Sequence, residues 1–246
     1  MLTLTKNTEI LLVISIAVAL NYLPKIGRIF KGFNTLIHET GHAFMSLLFS
    51  GEVVSVDILH TGEGVATTKS KSWFSKFFIS IAGYPFSSII SFLFAYLIFT
   101  EHYRIILYVI MSISAINIIF WVRNPYGLVW LIVTNALLFS IFYFHLSQTQ
   151  YYTALFITAF VSIDAWVSSW HILYLSIKEP KKAGDSKNLQ TFTFLPAFFW
   201  SLFFWAQASF FALLSVQLFY PLPVGFLSRA IGSLRRSIPP VSIMMQ

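Results

Sequence analysis

Long apolar runs separated by short polar connections form the main pattern of this 246-residue chain. As helices, runs of about 17–25 apolar residues are long enough to cross the hydrocarbon layer of a bilayer. Seven segments approach or reach this length: residues 10–23, 33–49, 77–99, 105–122, 127–144, 152–177 and 194–220. The pattern predicts an all-α polytopic membrane protein with about six or seven transmembrane helices.

The first of these segments is short, and two interpretations of it stay open. Lys6 precedes it, and Ala17-Val18-Ala19 resembles a cleavage site, which fits a signal peptide. The segment also runs directly on to Leu23-Pro24, which favours a retained anchor. The next residues, 24–31, place three basic side chains among apolar ones, a spacing that fits either a short amphipathic helix on the membrane surface or a basic loop.

After the second segment, the spacing of apolar residues changes from a helical repeat to alternation at every second residue. Val54, Val56 and Ile58 alternate with polar residues, and a turn sequence rich in glycine follows at residues 61–64. This predicts a β-hairpin at residues 52–69. Because an open sheet edge cannot face lipid, the hairpin must lie at the interface, be surrounded by protein, or line a wet cavity.

The composition agrees with a membrane location and excludes several function classes. Only 10% of the residues are charged and 57% are hydrophobic, whereas soluble domains carry roughly 25% charged residues. We expect one transmembrane domain at residues 1–220, followed by a basic C-terminal tail at 221–246. The net charge of +7 lies mainly at segment ends, as bilayer charge rules predict, so the expected partner is the lipid bilayer and not nucleic acid. The absence of cysteine excludes disulfides and thiolate metal sites.

The chemistry of the chain centres on His38-Glu39-Thr40-Gly41-His42, inside the second apolar segment. On a helix, positions i and i+4 share one face, so both histidines can bind one zinc ion (Zn²⁺) while Glu39 acts as the general base. Ionisable groups within a span are costly and indicate a functional site by default. The structural alternative is that the three side chains only hydrogen-bond to neighbouring helices.

A catalytic zinc site needs a third protein ligand besides the two histidines. With no cysteine in the chain, the candidates are Asp164, Asp185, His171, Glu52 and His60. Asp164 lies about midway along the sixth segment, at a depth comparable with His42, and depth alone favours it. Asp185 lies in the helix break before the seventh segment.

The motif and its surroundings, residues 33–43, resemble the site-2-protease clan of intramembrane zinc metallopeptidases, and specifically its short branch without a PDZ domain. The resemblance extends over roughly residues 30–205 and rests on three further stretches in the same order as in the family: Ala82-Gly83-Tyr84-Pro85, Arg123-Asn124-Pro125-Tyr126-Gly127, and Gly184-Asp185-Ser186 with Leu189, Pro196 and Trp200.

This resemblance implies His38 and His42 as zinc ligands, Glu39 as the general base and Asp185 as the third ligand. Asp164, which depth favours, stays the alternative. It also implies hydrolysis of a peptide bond in or near a transmembrane segment of a membrane-protein or peptide substrate. The expected location is the cell (inner) membrane of a bacterium, as a multi-pass protein. The rival class is a non-enzymatic membrane scaffold or transporter that retains a metal-binding motif.

Two further features acquire a role if the chain is a protease. The hairpin could offer an edge strand that holds the substrate extended. Arg123, before the fifth segment, could stabilise a developing oxyanion. An arginine at a span end more often extends to the lipid headgroups, which is the alternative for Arg123.

Overall fold

The structure is a computed structural model that describes residues 6–220 and Gly232. Its elements in chain order are α1 (Lys6–Tyr22), α2 (Ile26–Leu48), β1 (Glu52–Ile58), β2 (Gly64–Lys69), α3 (Trp73–Phe99), α4 (Tyr103–Phe120), α5 (Pro125–Tyr143), α6 (Ser147–Lys178), a 3-10 turn (Pro180–Lys182), α7 (Gly184–Phe192) and α8 (Ala197–Phe219). The predicted fold class, helical with one small hairpin after the second helix, is confirmed. The predicted tail at 221–246 lies outside the described residues apart from Gly232, and the proposed domain limits stay a prediction.

Five of the helices in the described part, α3, α4, α5, α6 and α8, are long and apolar enough to cross a membrane. Helices α1 and α2 instead form a pair bent by 104°, which counts as a sixth span if the pair crosses once. Pro24 lies in the break, where its missing N–H and fixed φ end a helix. The close approach at the bend also requires a glycine, because a Cβ on Gly27 would overlap the Leu20 carbonyl oxygen. The basic stretch 24–31 is therefore neither a separate surface helix nor a loop, since α2 begins at Ile26 and continues unbroken.

Helix α2 is the centre of the fold, and polar contacts fix successive turns of it to different neighbours. Interhelical hydrogen bonds of this kind hold helices together in a bilayer, where apolar packing alone gives little preference for one neighbour. Three contacts join α2 to α5, the hairpin and α4 in turn: Trp130 Nε1–H to the Ile29 carbonyl at 2.9 Å, Thr35 Oγ1–H to the Gly62 carbonyl at 2.7 Å, and Asn117 Nδ2–H to Thr40 Oγ1 at 3.0 Å.

The hairpin lies along α2 with one edge covered and one edge turned toward the helix. β1 pairs antiparallel with β2, with a bulge between Val53 and Ser55. The outer edge of β1 is occupied, because the Val56 N–H donates to the Trp121 carbonyl at 3.1 Å. Asn124 accepts from the Ile58 N–H at 3.3 Å and donates to the Ile58 carbonyl at 2.6 Å. The turn between α4 and α5 therefore closes this edge.

The register of the hairpin determines which groups of β2 point outward. Val56 pairs with Ala66 and Ile58 with Gly64. Because the N–H groups of Val56 and Ile58 point away from β2, their partners direct their own N–H and C=O groups to the opposite edge. The outer edge of β2 therefore presents the backbone of Gly64 and Ala66 toward α2.

The short helix α7 follows α6 through a tight reversal of the chain. Gly184 has φ +43°, a left-handed conformation that glycine adopts without strain. Ser186 Oγ lies 2.7 Å from Ser201 Oγ and so joins α7 to α8. Buried Leu189 packs with Ile172 of α6 and Phe204 of α8. These contacts place Asp185, in the first turn of α7, against α2.

Candidate metal centre

His38 and His42 of α2 meet Asp185 of α7 in a triangle of ligand-type atoms. The two Nε2 atoms are 3.1 Å apart, and each lies 3.2 Å from Asp185 Oδ2. The two histidines share a face because they are one helical turn apart, whereas Asp185 lies 147 residues from His38 along the chain. Three such atoms, each with a free electron pair, can hold one metal ion.

The orientation of the two imidazole rings is set by helix α3. His42 Nδ1 lies 2.6 Å from the Ile79 carbonyl oxygen, and because a carbonyl only accepts, Nδ1 carries the proton. Nε2 is then left free as a ligand atom, which is the arrangement that metal-binding histidines use. The His38 ring packs edge-on against Tyr84, with centroids 4.7 Å apart, and Tyr84 in turn stacks on Phe204.

Asp185 is the anionic member of the triangle. Burial by itself would raise the pKa of its carboxyl group, but the adjacent His42 and His38 hold this pKa below its usual range. The carboxylate lies outside the spanning helices, at the start of α7. A carboxylate oxygen and two imidazole nitrogens together form a donor set suited to a divalent transition metal.

Glu39 lies next to the triangle but turns toward the hairpin. Its side chain is buried, and the Ala66 backbone hydrogen-bonds its carboxyl group. The contact is close enough that a Cβ on Gly64 would lie 2.7 Å from Glu39 Cγ and 2.8 Å from Oε1. The outer edge of β2 and the Glu39 carboxyl group therefore face each other beside the two histidines.

Gly83 of α3 forms the wall of the centre opposite α2. A Cβ at this position would overlap His38 Nε2 and would lie 2.5 Å from His42 Nε2. Real Cβ atoms do not approach other atoms this closely, so a side chain here must displace the ligand nitrogens. Only glycine fits, which gives the Ala82-Gly83 stretch of the sequence a steric function.

Replacement of Gly83 by alanine is expected to lower metal content sharply, because the new methyl group takes the space of the imidazole nitrogens. Metal analysis of purified protein measures this. Gly32→Ala is the matched control, since a Cβ there would lie 2.6 Å from the Trp130 ring, away from the centre. It should lower thermal stability while the folded fraction keeps its metal. Equal metal content in Gly83→Ala and the wild type would contradict this steric role.

The remaining sequence candidates lie elsewhere. Asp164 accepts hydrogen bonds from Asn21 and Asn34 and does not join the triangle. His171 and Glu52 are exposed, and the His60 ring lies near Tyr126. The Arg123 guanidinium donates to four carbonyl groups in and just after the last turn of α4, at 2.8–3.1 Å, which leaves it as a cap for that helix.

Sequence reasoning did not find three partners of the centre: the Ile79 carbonyl, the Ala66 backbone and the Tyr84 ring. The first two are main-chain groups, which any residue type supplies, so no side-chain pattern could reveal them. Tyr84 lies inside the Ala82–Pro85 stretch on which the family resemblance partly rests, and this was the available signal.

Comparison with known proteins identifies a family. A family model described as Peptidase M50B-like matches residues 10–215, which include the motif, the hairpin and α7. No curated protein and no solved structure matches the chain.

Proposed function

Because the chain belongs to the Peptidase M50B-like family, we propose that it is an intramembrane zinc metallopeptidase that cleaves a membrane-protein or peptide substrate in or near a transmembrane segment. The observation that carries the proposal is the triangle of His38, His42 and Asp185 with Glu39 beside it. The apolar helices support an integral membrane protein. We further propose the cell (inner) membrane of a bacterium as its location.

The donor set fits zinc and disfavours calcium and magnesium. Tetrahedral zinc with bonds of about 2.0–2.2 Å separates its ligand atoms by roughly 3.3–3.6 Å. The distances of 3.1–3.2 Å within the triangle need to open by only a few tenths of an ångström, which side-chain torsions can supply. Two histidines and one carboxylate also leave the fourth position open, as catalytic zinc sites require. Calcium and magnesium prefer sets made of oxygen alone.

Glu39 is the proposed general base. When bound, zinc would polarise the scissile carbonyl group and lower the pKa of a water molecule beside it. Glu39 accepts a proton from that water and later donates it to the leaving amine. Its position beside both histidines supports this role, because a general base must lie within reach of the water that gives up the proton.

The outer edge of β2 is the proposed binding place for the substrate. A transmembrane helix hides its carbonyl groups in hydrogen bonds, so the substrate must unwind before cleavage. The outward backbone of Gly64 and Ala66 can then pair with the unwound segment as an added strand, which takes over the Ala66 N–H from Glu39. Because Ala66 also lies against Glu39, the paired segment would pass directly beside the base.

A substrate bound in this way should respond to N-methylation with a period of two. Methylating alternate backbone nitrogens of a cleaved peptide should raise KM roughly 2–10-fold at positions that face β2, because each loses one hydrogen bond. The intervening positions should tolerate methylation. A KM series without this alternation would contradict the added strand.

The same point can be tested in the protein. Ala66→Pro removes one outward donor, the N–H that contacts Glu39 before a substrate binds, and should weaken cleavage with zinc retained. Val54→Pro is the control, because Val54 has no partner in the hairpin register. Unchanged turnover in Ala66→Pro would argue that the hairpin borders the site but does not bind the substrate.

The function as a whole is tested on detergent-purified protein. We expect about one zinc per chain by elemental analysis. We also expect metal-dependent cleavage of a single-span peptide whose helix is interrupted by glycine and asparagine. Zinc without cleavage of any single-span protein in a broad panel would favour the rival class, a membrane scaffold or transporter that retains the motif.

A further inference from the structure

A second buried polar cluster lies one helical turn from the metal centre. Asp164 of α6 is 4% exposed. Its Oδ1 accepts from Asn21 Nδ2 at 2.9 Å and its Oδ2 accepts from Asn34 Nδ2 at 3.0 Å. Lys31 Nζ lies 3.7 Å from Oδ1. The donors come from α1 and α2, so the carboxylate joins three helices.

A carboxylate at this depth is costly unless it is paired, which makes a role for it the default expectation. Simple packing of three helices does not need a charge, because apolar or small residues achieve it at lower cost. The specific feature of Asp164 is that both of its oxygens are engaged at hydrogen-bond distance by amides from different helices. Such an arrangement tolerates little sliding of one helix along another.

The cluster connects the two halves of the metal centre. Asn34 precedes His38 by four residues and therefore lies on the same face of α2. Asp164 lies on α6, which leads through the turn at Pro180–Lys182 to α7 and Asp185. α7 also packs back onto α6 through Leu189 and Ile172. The position of α2 against α6 thus sets the distance between the two histidines and the Asp185 carboxylate.

We propose that Asp164 is a positioning residue for the metal centre: through Asn34 and Lys31 it fixes the register of α2 against α6 and so holds the three ligand atoms at binding distance. This rests on the proposed zinc function of the same centre. We call Asp164, Asn34 and Lys31 the α2–α6 clasp. The three contacts of α2 with α4, α5 and the hairpin do not replace the clasp, because those elements carry no ligand.

The proposal predicts different effects for two similar substitutions. Asn34→Ala and Asn21→Ala each remove one amide donor to Asp164, but only Asn34 lies on the helix that carries the histidines. Asn34→Ala should raise the zinc Kd roughly 10–100-fold, the range seen when an outer partner of a metal site is lost. Asn21→Ala should leave the Kd unchanged. The Kd is measured by competition with a chelating dye on purified full-length protein.

Reciprocal exchange of the amide and the carboxylate gives the sharper test. Asp164→Asn should weaken zinc binding to a similar extent, because an asparagine offers only one oxygen and can no longer accept from both Asn21 and Asn34. The double variant Asp164→Asn/Asn34→Asp restores one acceptor and one donor and should recover most of the affinity. If the cluster only stabilises the fold, these variants would have a lower melting temperature, but the folded protein would bind zinc with the Kd of the wild type.

The outcomes separate failure of the clasp from failure of the function. If the wild type binds no zinc, the proposed function is wrong. If the wild type binds zinc but Asn34→Ala and Asn21→Ala behave alike, or the double variant is no better than Asp164→Asn, the positioning role is wrong. Should Asp164→Asn fail to fold, the comparison of Asn34→Ala with Asn21→Ala decides alone.

Discussion

Glu39→Gln is expected to keep a full equivalent of zinc and to lose hydrolysis by about 10²–10⁴-fold, the usual contribution of a general base. Glutamine has the same shape as glutamate and can still contact the Ala66 backbone, but it cannot accept a proton from water. The ligand atoms His38 Nε2, His42 Nε2 and Asp185 Oδ2 are untouched by the change. Elemental analysis and cleavage of the single-span peptide measure the two properties on one preparation.

Glu52→Gln is the matched control, since the Glu52 side chain is 69% exposed on the hairpin. It should keep both zinc and activity. Loss of zinc in Glu39→Gln would make Glu39 a ligand and not a base. Activity within threefold of the wild type would remove it from the chemistry altogether.

Asp185→Ala is expected to abolish tight zinc binding and, with it, all cleavage. Two imidazoles on one helix cannot hold a tight catalytic site without a third ligand. The loss of affinity should therefore exceed the roughly 10–100-fold expected for an outer partner such as Asn34. His38→Ala and His42→Ala should behave in the same way. Titration of metal-free protein with zinc in the presence of a chelating dye gives the affinities.

The control for this series is Asp57→Ala, which removes a carboxylate of the hairpin that lies near Ser55. Its zinc affinity should match that of the wild type. Full zinc affinity in Asp185→Ala would refute the ligand assignment and return the three clustered side chains to a role in helix packing.

Sequence predicted those parts of the fold that depend on local patterns of residues. Apolar length alone predicted α3 to α6 and α8, and the period-two run at Val54, Val56 and Ile58 predicted the hairpin. The i, i+4 spacing of His38 and His42 predicted that both rings share one face, because that is a property of any α-helix.

The parts that were not predictable depend on how distant segments meet. Hydropathy shows the apolar lengths of α1 and α2 but not the 104° bend at Pro24, which brings both helices into contact with α6. Depth suggested Asp164 as an alternative third ligand, yet depth says nothing about lateral position, and Asp164 faces Asn21 and Asn34. Sequence placed Asp185 in the break before the seventh segment and did not predict a helix for the stretch after Gly184. It forms α7, because Ser186 and Leu189 anchor it as a helix against α8.

The closed edge of β1 limits what the sheet can assemble with. Unpaired strand edges invite pairing with any other strand, including the same strand of another molecule. In this hairpin Trp121 and Asn124 occupy one edge, and α2 shields the approach to the other. Two copies of the protein therefore cannot join edge to edge through their hairpins into a continuous sheet. Under the proposed binding mode an added strand enters between β2 and α2, so an extended peptide held there would exclude every substrate at once, whatever its side chains.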